Sequence, residues 1–345
     1  MRRLASVQRI NRITPINDAD RIELVHVLGW QCIAKKGEFN VGDLCVYFEI
    51  DSFLPIRPEF EFLRASSYKN SELLGEGFRL KTQKMRGEIS QGLCLPMSIL
   101  DHPEEYKEGC DVTEVLNVCK WEIPEMATTG GTMIGNLPYG VPHTDEVRIQ
   151  AVPELLQEFA KKEYYITTKM DGSSHSISID ENGIHVTGHN YEYKDDGKSS
   201  FYEFAKKNGF IENIVKYKET HYDVRMMTIQ GEYCGAGIQS NKLGLKMPMW
   251  YVFTIIINGR RVGMHETQKI CMEIGLTMVP NEEKGFDLPH LYPDVETLLK
   301  RADGKYPNGH TKEGIVIRPV EPVYSNLTGE YLSMKVINNK YLLKK

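Results

Sequence analysis

Two alternating runs joined by four residues constrain this chain most. Tyr164-Tyr165-Ile166-Thr167-Thr168 reads as a strand, Lys169-Met170-Asp171-Gly172 follows, and Ser173-Ser174-His175-Ser176-Ile177-Ser178-Ile179 reads as a second strand. Period-two alternation about a glycine predicts two short strands around a turn, with a lysine held at their mouth. A lysine amine attacks phosphorus once it has lost its proton, and low dielectric with nearby positive charge favours that loss. A plain surface turn fits the same four residues. A Lys-x-Asp-Gly match arises by chance in roughly one chain in fifteen of this length, so the rest of the chain must decide.

Downstream, in order, come Gly188-His189-Asn190, Gly231-Glu232-Tyr233, Trp250-Tyr251-Val252-Phe253, Glu313-Gly314-Ile315-Val316-Ile317-Arg318 and Ser333-Met334-Lys335-Val336-Ile337. This order resembles the motif ladder of the covalent nucleotidyltransferases, which include ATP-dependent RNA ligases, DNA ligases and mRNA capping enzymes. The resemblance runs from about Thr144 to the C-terminus. It is closest to RNA ligases that carry an N-terminal OB-fold domain and end just after the last motif.

The resemblance implies that Lys169 is the nucleophile that attacks the α-phosphorus of ATP, giving lysyl-AMP and pyrophosphate. It implies that Asp171 and Glu313 hold Mg²⁺ or Mn²⁺, directly or through water; such an ion suits one or two carboxylates plus phosphate. Glu232 is assigned to the ribose hydroxyls or the metal's surroundings, Phe253 to stacking on adenine, and Asn190 to ribose or phosphate. Arg148 would touch the nucleotide or orient a carboxylate. Lys335 would bind the α-phosphate, stabilise the transition state as a point charge, and lower the pKa of Lys169 by like-charge repulsion. Without the resemblance, Lys335 reads as a solvated strand lysine, Phe253 as a core aromatic, and Thr144 or Asp145 as a helix cap. Three positions depart from the pattern: His189 replaces an arginine, Thr254 stands where an acid is common, and Ile337 stands where a second lysine is common. Arg318 or Lys312 is then the expected source of the second charge.

The first third reads as β. Ile22–Leu28 and Gln31–Ala34 are strand-like around Gly29, Cys45–Ile50 and Gly92–Pro96 follow, and Val41-Gly42-Asp43 signals a turn. Short strands with turns between them predict a small OB-like barrel over residues 1–118. Alternation in Phe78-Arg79-Leu80-Lys81-Thr82 sets Arg79 and Lys81 on one face, with Lys84 and Arg86 near the next turn. That cluster is a candidate nucleic-acid surface reaching phosphates, or else a solvated charged face. Trp30, Tyr47 and Phe48 are candidate base-stacking rings, with core packing the alternative for Phe48.

Residues 120–142 hold Pro124, Gly130-Gly131, Gly135, Pro138, Gly140 and Pro142, a linker too rich in breakers for regular structure. The expected class is therefore α+β. The barrel is followed, over residues 119–345, by an adenylyltransferase domain of antiparallel sheets flanked by helices, with Val152–Ala160 as a short amphipathic helix.

The net charge of −5 advertises no global field for nucleic acid, so any such surface must be a local patch. Seven cysteines without metal-ligand spacing read as reduced core thiols of an intracellular, most simply cytoplasmic, protein. No long apolar run predicts a signal peptide or a spanning helix. The expected function is joining of RNA 3′-hydroxyl and 5′-phosphate ends by a monomer, at nicks in a duplex. DNA ligases and capping enzymes usually place their OB domain after the last motif, whereas ten residues follow Lys335 here. A non-catalytic nucleic-acid-binding protein is the remaining alternative, opposed by the joint presence of Lys169, Asp171, Glu232, Glu313 and Lys335.

Overall fold

The structure, a computed structural model, describes residues 3–121 and 130–343. The 122–129 part of the Gly/Pro-rich linker, with Pro124, lies outside the described residues. Two compact units divide the chain: Met1–Ile123 with Gln150–Pro153 and Leu342–Lys345, and Pro124–Ile149 with Glu154–Tyr341. Each sheet draws its strands from one unit.

In the first unit a five-stranded antiparallel sheet runs Leu93–Pro96, Leu44–Phe48, Ala5–Pro15, Ile22–Val27, Trp30–Lys35. Its edges meet just ahead of Leu93. Gln91 N–H donates to the Gln31 carbonyl at 2.8 Å, and Gln31 Nε2 donates to the Ile89 carbonyl at 2.7 Å. The sheet thus curls on itself, which removes an exposed edge. A four-stranded sheet adds Cys119–Lys120, Ser52–Leu54, Gly75–Arg79 and Tyr68–Ser71. Every second residue of the strands turns inward, and Val7, Val46, Phe48, Leu54 and Phe78 share one core.

Two expectations for this unit change. Trp30, Tyr47 and Phe48 are only 1%, 3% and 0% exposed, so all three are core residues and none is a platform for bases. Phe48 meets Phe60 edge-on at 5.4 Å, a favoured aromatic geometry. The basic run is also not one strand. Its strand ends at Arg79, and Gln83–Met85 pairs with Glu88–Ser90 in a separate hairpin turned by Arg86 and Gly87, both with positive φ. Arg79 and Lys81 are half-buried, between buried Phe78, Leu80 and Thr82, while Lys84 and Arg86 are exposed. The Arg79 guanidinium lies 5.0 Å from the Trp121 ring.

The second unit holds two sheets. The larger runs Met133–Asn136, Tyr191–Tyr193, Ile184–Thr187, Ser173–Ile179, Met227–Cys234, Met249–Ile257, Arg260–Arg261, all antiparallel. Thr277–Met278 joins it as a parallel partner of Met249–Ile257, the one departure from a purely antiparallel plan among the described strands. The smaller sheet runs Asn281–Phe286, Glu163–Lys169, Gly314–Pro319, Met334–Ile337. Helices Ser200–Lys207, Phe210–Thr220 and Met264–Ile274 bury Phe201, Ile214 and Ile270 against Ile177, Ile229 and Ile255 of the larger sheet. Ser199 starts the first of these helices by accepting from Tyr202 N–H.

All seven cysteines are free, five of them buried, with Cys110 half-buried and Cys119 exposed. No helix among the described residues is long and apolar enough to cross a membrane.

Candidate active site

Lys169 is the last residue of its strand, which pairs with Asn281–Phe286 on one side and Gly314–Pro319 on the other. The strand after the glycine, Ser173–Ile179, pairs instead with Ile184–Thr187 and Met227–Cys234. The lysine turn is therefore not a hairpin. Met170-Asp171-Gly172 carries the chain from the smaller sheet to the larger. Gly172 is required by close approach: a Cβ there would sit 2.6 Å from Cys234 Sγ and closer still to the Tyr233 carbonyl oxygen.

This crossing sets residues from both sheets about the Lys169 side chain. Its Nζ lies 3.0 Å from a Glu313 carboxylate oxygen, and Glu313 precedes the strand whose Gly314 stands opposite Lys169. Burial works to lower the lysine's pKa. The charges of Glu313, Glu232 and Asp171 overcome it and hold the group above its ordinary value. The expected depression by Lys335 is thus corrected: carboxylates, not a second ammonium, dominate this lysine's surroundings. Glu232, from the Met227–Cys234 strand, is pushed up to about 7 by burial, against the pull of Lys169 and with the push of Glu313 and Asp171.

A pocket of about 180 Å³ opens beside these groups, lined by Lys169, Glu232, Phe253, Lys335, Arg318 and His189, with Thr144, Asp145, Glu146 and Ser174. Thr167, Val316 and Lys335 stand opposite one another in one row of the smaller sheet, and Lys169, Gly314 and Ile337 in the next row but one. Period-two alternation puts Lys335 and Ile337 on one face. Lys335 lines the pocket, 3.7 Å from Asp145, while Ile337 is buried at 3% exposure.

The two candidates for a further charge separate cleanly. Arg318 lines the pocket and donates to Glu146, to the Phe253 carbonyl and to Thr254 Oγ1. Lys312 is buried and bound to Glu282 at 2.7 Å. His189 lies 3.4 Å from Asp145 and 3.3 Å from Thr144 Oγ1.

Four of the residues expected to meet nucleotide or metal do not line the pocket: Asp171, Glu313, Asn190 and Arg148. Glu313 reaches the site through Lys169. Asp171 is buried, and its carboxylate accepts from Tyr341 Oη at 2.8 Å and lies 3.8 Å from Lys242 Nζ. Asn190 sits at the tip between Ile184–Thr187 and Tyr191–Tyr193, next to His189. Arg148 belongs to an extended segment beside the Met334–Ile337 strand, where Lys335 N–H donates to the Val147 carbonyl at 2.8 Å. That pairing replaces the helix start allowed for Thr144 and Asp145.

The donor set bears on a metal ion. Three carboxylates, Glu313, Glu232 and Asp171, outnumber the two ammonium groups beside them, Lys169 and Lys242, and Glu232 is raised chiefly by burial, with Glu313 and Asp171 adding to it. Hard oxygen donors with such a surplus fit Mg²⁺ or Mn²⁺. Among the described residues no three His, Cys, Asp or Glu side chains converge on a ready cage.

Comparison with known proteins fixes the family. A family model for an RNA ligase matches residues 162–337, and one for an OB-fold domain matches residues 4–97. The Naegleria gruberi RNA ligase with PPi is 32% identical, covers 100% of this chain and 99% of its own, and has a TM-score of 0.88. The chain belongs to the RNA ligase family. Two point mutants of the same N. gruberi ligase, one with ATP and Mn and one with AMP and Mn, each match at 32% identity over 100% of this chain and 99% of theirs. Their TM-scores are 0.88 and 0.89. No curated protein matches the chain in sequence.

The RNA ligase match takes in the smaller sheet and all of the larger one except its edge strand Met133–Asn136. Two tyrosines of this ligase, missed in the sequence, complete the surroundings. Tyr341 bonds Asp171, and Tyr306 Oη donates to the Lys169 carbonyl at 2.8 Å while accepting from Glu313 N–H at 3.1 Å. Their bonds to Asp171 and to the Lys169 carbonyl span 170 and 137 residues, and only the Tyr306 bond to Glu313 is local.

Proposed function

We propose that this RNA ligase uses ATP and joins RNA 3′-hydroxyl and 5′-phosphate ends through lysyl-AMP formed on Lys169. The observation that carries the reading is the Lys169 amine, held 3.0 Å from Glu313 at the edge of a pocket lined by Lys335, Glu232 and Phe253. The deprotonated amine attacks the α-phosphorus, a nitrogen–phosphorus bond forms, and the bond to the departing pyrophosphate breaks. AMP then passes to a 5′-phosphate, and a 3′-hydroxyl displaces it to form the phosphodiester. Lys335 supplies fixed positive charge to the phosphate undergoing transfer. Phe253 offers its ring face to adenine, and Arg318, beside it in the pocket, keeps that ring in place by bonding its carbonyl.

Asp171, Glu232 and Glu313 would hold a divalent ion. Such an ion supplies charge neutralisation and orientation of phosphate oxygens when bound. Asn190 and Arg148 would act beyond the pocket wall, Asn190 toward the sugar–phosphate through the loop it shares with His189, and Arg148 by setting the strand of Lys335. Arg79, Lys81, Lys84 and Arg86 of the first unit would touch RNA phosphates, with Lys84 and Arg86 the exposed members. Nicked duplex is the substrate favoured by family likeness. A monomer is the simplest state for this reaction. Seven free thiols support a reducing, intracellular and most simply cytoplasmic location.

The test is mass spectrometry of the protein after incubation with ATP or GTP and Mg²⁺ or Mn²⁺, followed by peptide mapping. An AMP adduct on Lys169, with none from GTP, is the expected result. Absence of any adduct, or its presence on another lysine, refutes the reading.

A further inference from the structure

We propose that the Tyr306 hydroxyl is a positioning group for lysine adenylylation, clipping the backbone of Lys169 to the backbone of Glu313. The inference rests on the lysyl-AMP reading above and deepens it. The geometry closes a ring. Tyr306 Oη donates to the Lys169 carbonyl at 2.8 Å and accepts from Glu313 N–H at 3.1 Å, while the Lys169 amine meets the Glu313 carboxylate at 3.0 Å. A hydroxyl is one of the few side-chain groups that both donates and accepts through one atom. A phenylalanine ring would fill the same space and do neither.

The bond falls where the sheet gives out. Lys169 and Gly314 form the last rung between their strands, so the Lys169 backbone beyond that rung has no further ladder to hold it. Tyr306 takes over at that point. Its own placement is rigid. The ring is buried at 3% exposure, and a tight loop fixes the backbone: Tyr306 N–H donates to the His310 carbonyl at 2.8 Å and Gly309 N–H to the Tyr306 carbonyl at 2.9 Å.

The same loop also bonds the backbone of Lys242, the lysine beside Asp171. Asn308 Nδ2 donates to the Lys242 carbonyl at 2.8 Å, and His310 Nδ1 lies 2.9 Å from that oxygen. Lys242 in turn stands over the Tyr341 ring, 3.7 Å from its centre, and 3.8 Å from Asp171. One short loop therefore braces the nucleophile directly and Asp171 at one remove. Misplacement of a nucleophile by about an ångström costs on the order of 100-fold in rate, which is why such a brace matters for the step that uses the amine.

The experiment compares wild type with Tyr306→Phe in the full chain. Single-turnover adduct formation is followed over a range of ATP concentrations, alongside sealing of RNA already carrying a 5′-adenylate, and thermal unfolding. The expected result is a fall of roughly 10- to 100-fold in the adduct rate at saturating ATP. The half-saturating ATP concentration should stay within about twofold, the unfolding midpoint should be close to wild type, and sealing should fall far less. An unchanged adduct rate overturns the inference, as does an equal loss in both steps or a loss confined to ATP affinity. Wild type is the control for the underlying reading: if it forms no adduct on Lys169, that reading fails; if it does and the variant matches it, only the role of Tyr306 fails.

Discussion

Arg318 and Glu146 form a buried ion pair on the wall of the nucleotide pocket, with side chains 7% and 13% exposed. Arg318 also bonds Thr254 and the carbonyl of Phe253, so one guanidinium ties the Gly314–Pro319 strand to the Met249–Ile257 strand and to the segment ahead of Ile149. Burial alone would raise the Glu146 carboxyl, but the charges of Arg318 and Arg261 bring it down to about 2. Removing one partner strands the other. Glu146→Gln should cost on the order of 3–5 kcal/mol, and Glu146→Gln with Arg318→Met should recover part of that loss. Thermal and denaturant unfolding of the two variants checks this; equal stability of Glu146→Gln and wild type would remove the pair from the account of the pocket.

His175 gives the second unit a distinct response to acid. It is 1% exposed, stacked on Phe201 at 4.4 Å, with Nδ1 3.1 Å from the Thr187 carbonyl. Burial drives its pKa from the ordinary 6.5 down to about 3, so it is neutral in the fold. The unfolded chain binds a proton below about 6.5 that the folded chain refuses. Stability is therefore fully present above that pH and falls as pH drops towards 3, by an order-of-magnitude limit of about 4–5 kcal/mol. His175→Phe should flatten this limb in urea titrations between pH 7 and 4. If the wild-type and variant curves stay parallel, the histidine is not the group responsible.

How much of this could be read from the chain follows from what alternation encodes. Period two told which residues share a face, so the strand ending at Lys169 and the carboxylate before Gly314 were legible, while the half-buried setting of Arg79 and Lys81 was not. Alternation does not say which strand lies alongside. That is why Lys169 and Ser173 looked like one hairpin, although they enter different sheets. The same limit hid the partners of Arg318, Tyr306 and Tyr341, whose bonds join residues more than a hundred positions apart or across a loop. Trp30 and Tyr47 misled for another reason. A ring that can stack on a base is equally suited to a core, and the barrel closes over both. The depressed lysine pKa failed because it counted Lys335 and left out three carboxylates.

The hairpin of the first unit offers a test of where RNA is held. Lys84 and Arg86 project from it and are exposed, while Arg79 and Lys81 are half-buried. Lys84→Ala with Arg86→Ala should leave lysine adenylylation unchanged, because neither residue belongs to the pocket. It should weaken binding and sealing of nicked RNA duplex. The slope of log affinity against log salt should also fall by about one for each phosphate that is no longer neutralised. Titrations of labelled duplex at several salt concentrations measure that slope. An unaltered slope would mean that this face does not touch the substrate.

In the proposed reaction Lys169 and Lys335 divide the chemistry between them. Lys169 sits against Glu313, with Glu232 and Asp171 adding their charge, so its amine has carboxylates beside it and a pocket in front. Lys335 lies within its strand, its N–H donating to the Val147 carbonyl and its carbonyl accepting from Ile149 N–H, with Asp145 at 3.7 Å. The first is placed to be spent as a nucleophile, the second to remain a charge. Lys169→Ala should abolish the AMP adduct yet still seal RNA that already carries a 5′-adenylate, since that step needs the pocket but not the amine. Lys335→Ala should keep the adduct on Lys169 but slow its formation on the order of 10²-fold or more, the loss typical of a donor that stabilises developing charge. Radiolabelled adduct assays with peptide mapping, run beside sealing of pre-adenylated RNA, separate the two roles. AMP found on Lys335 in wild type or in the Lys169→Ala protein would reverse the assignment.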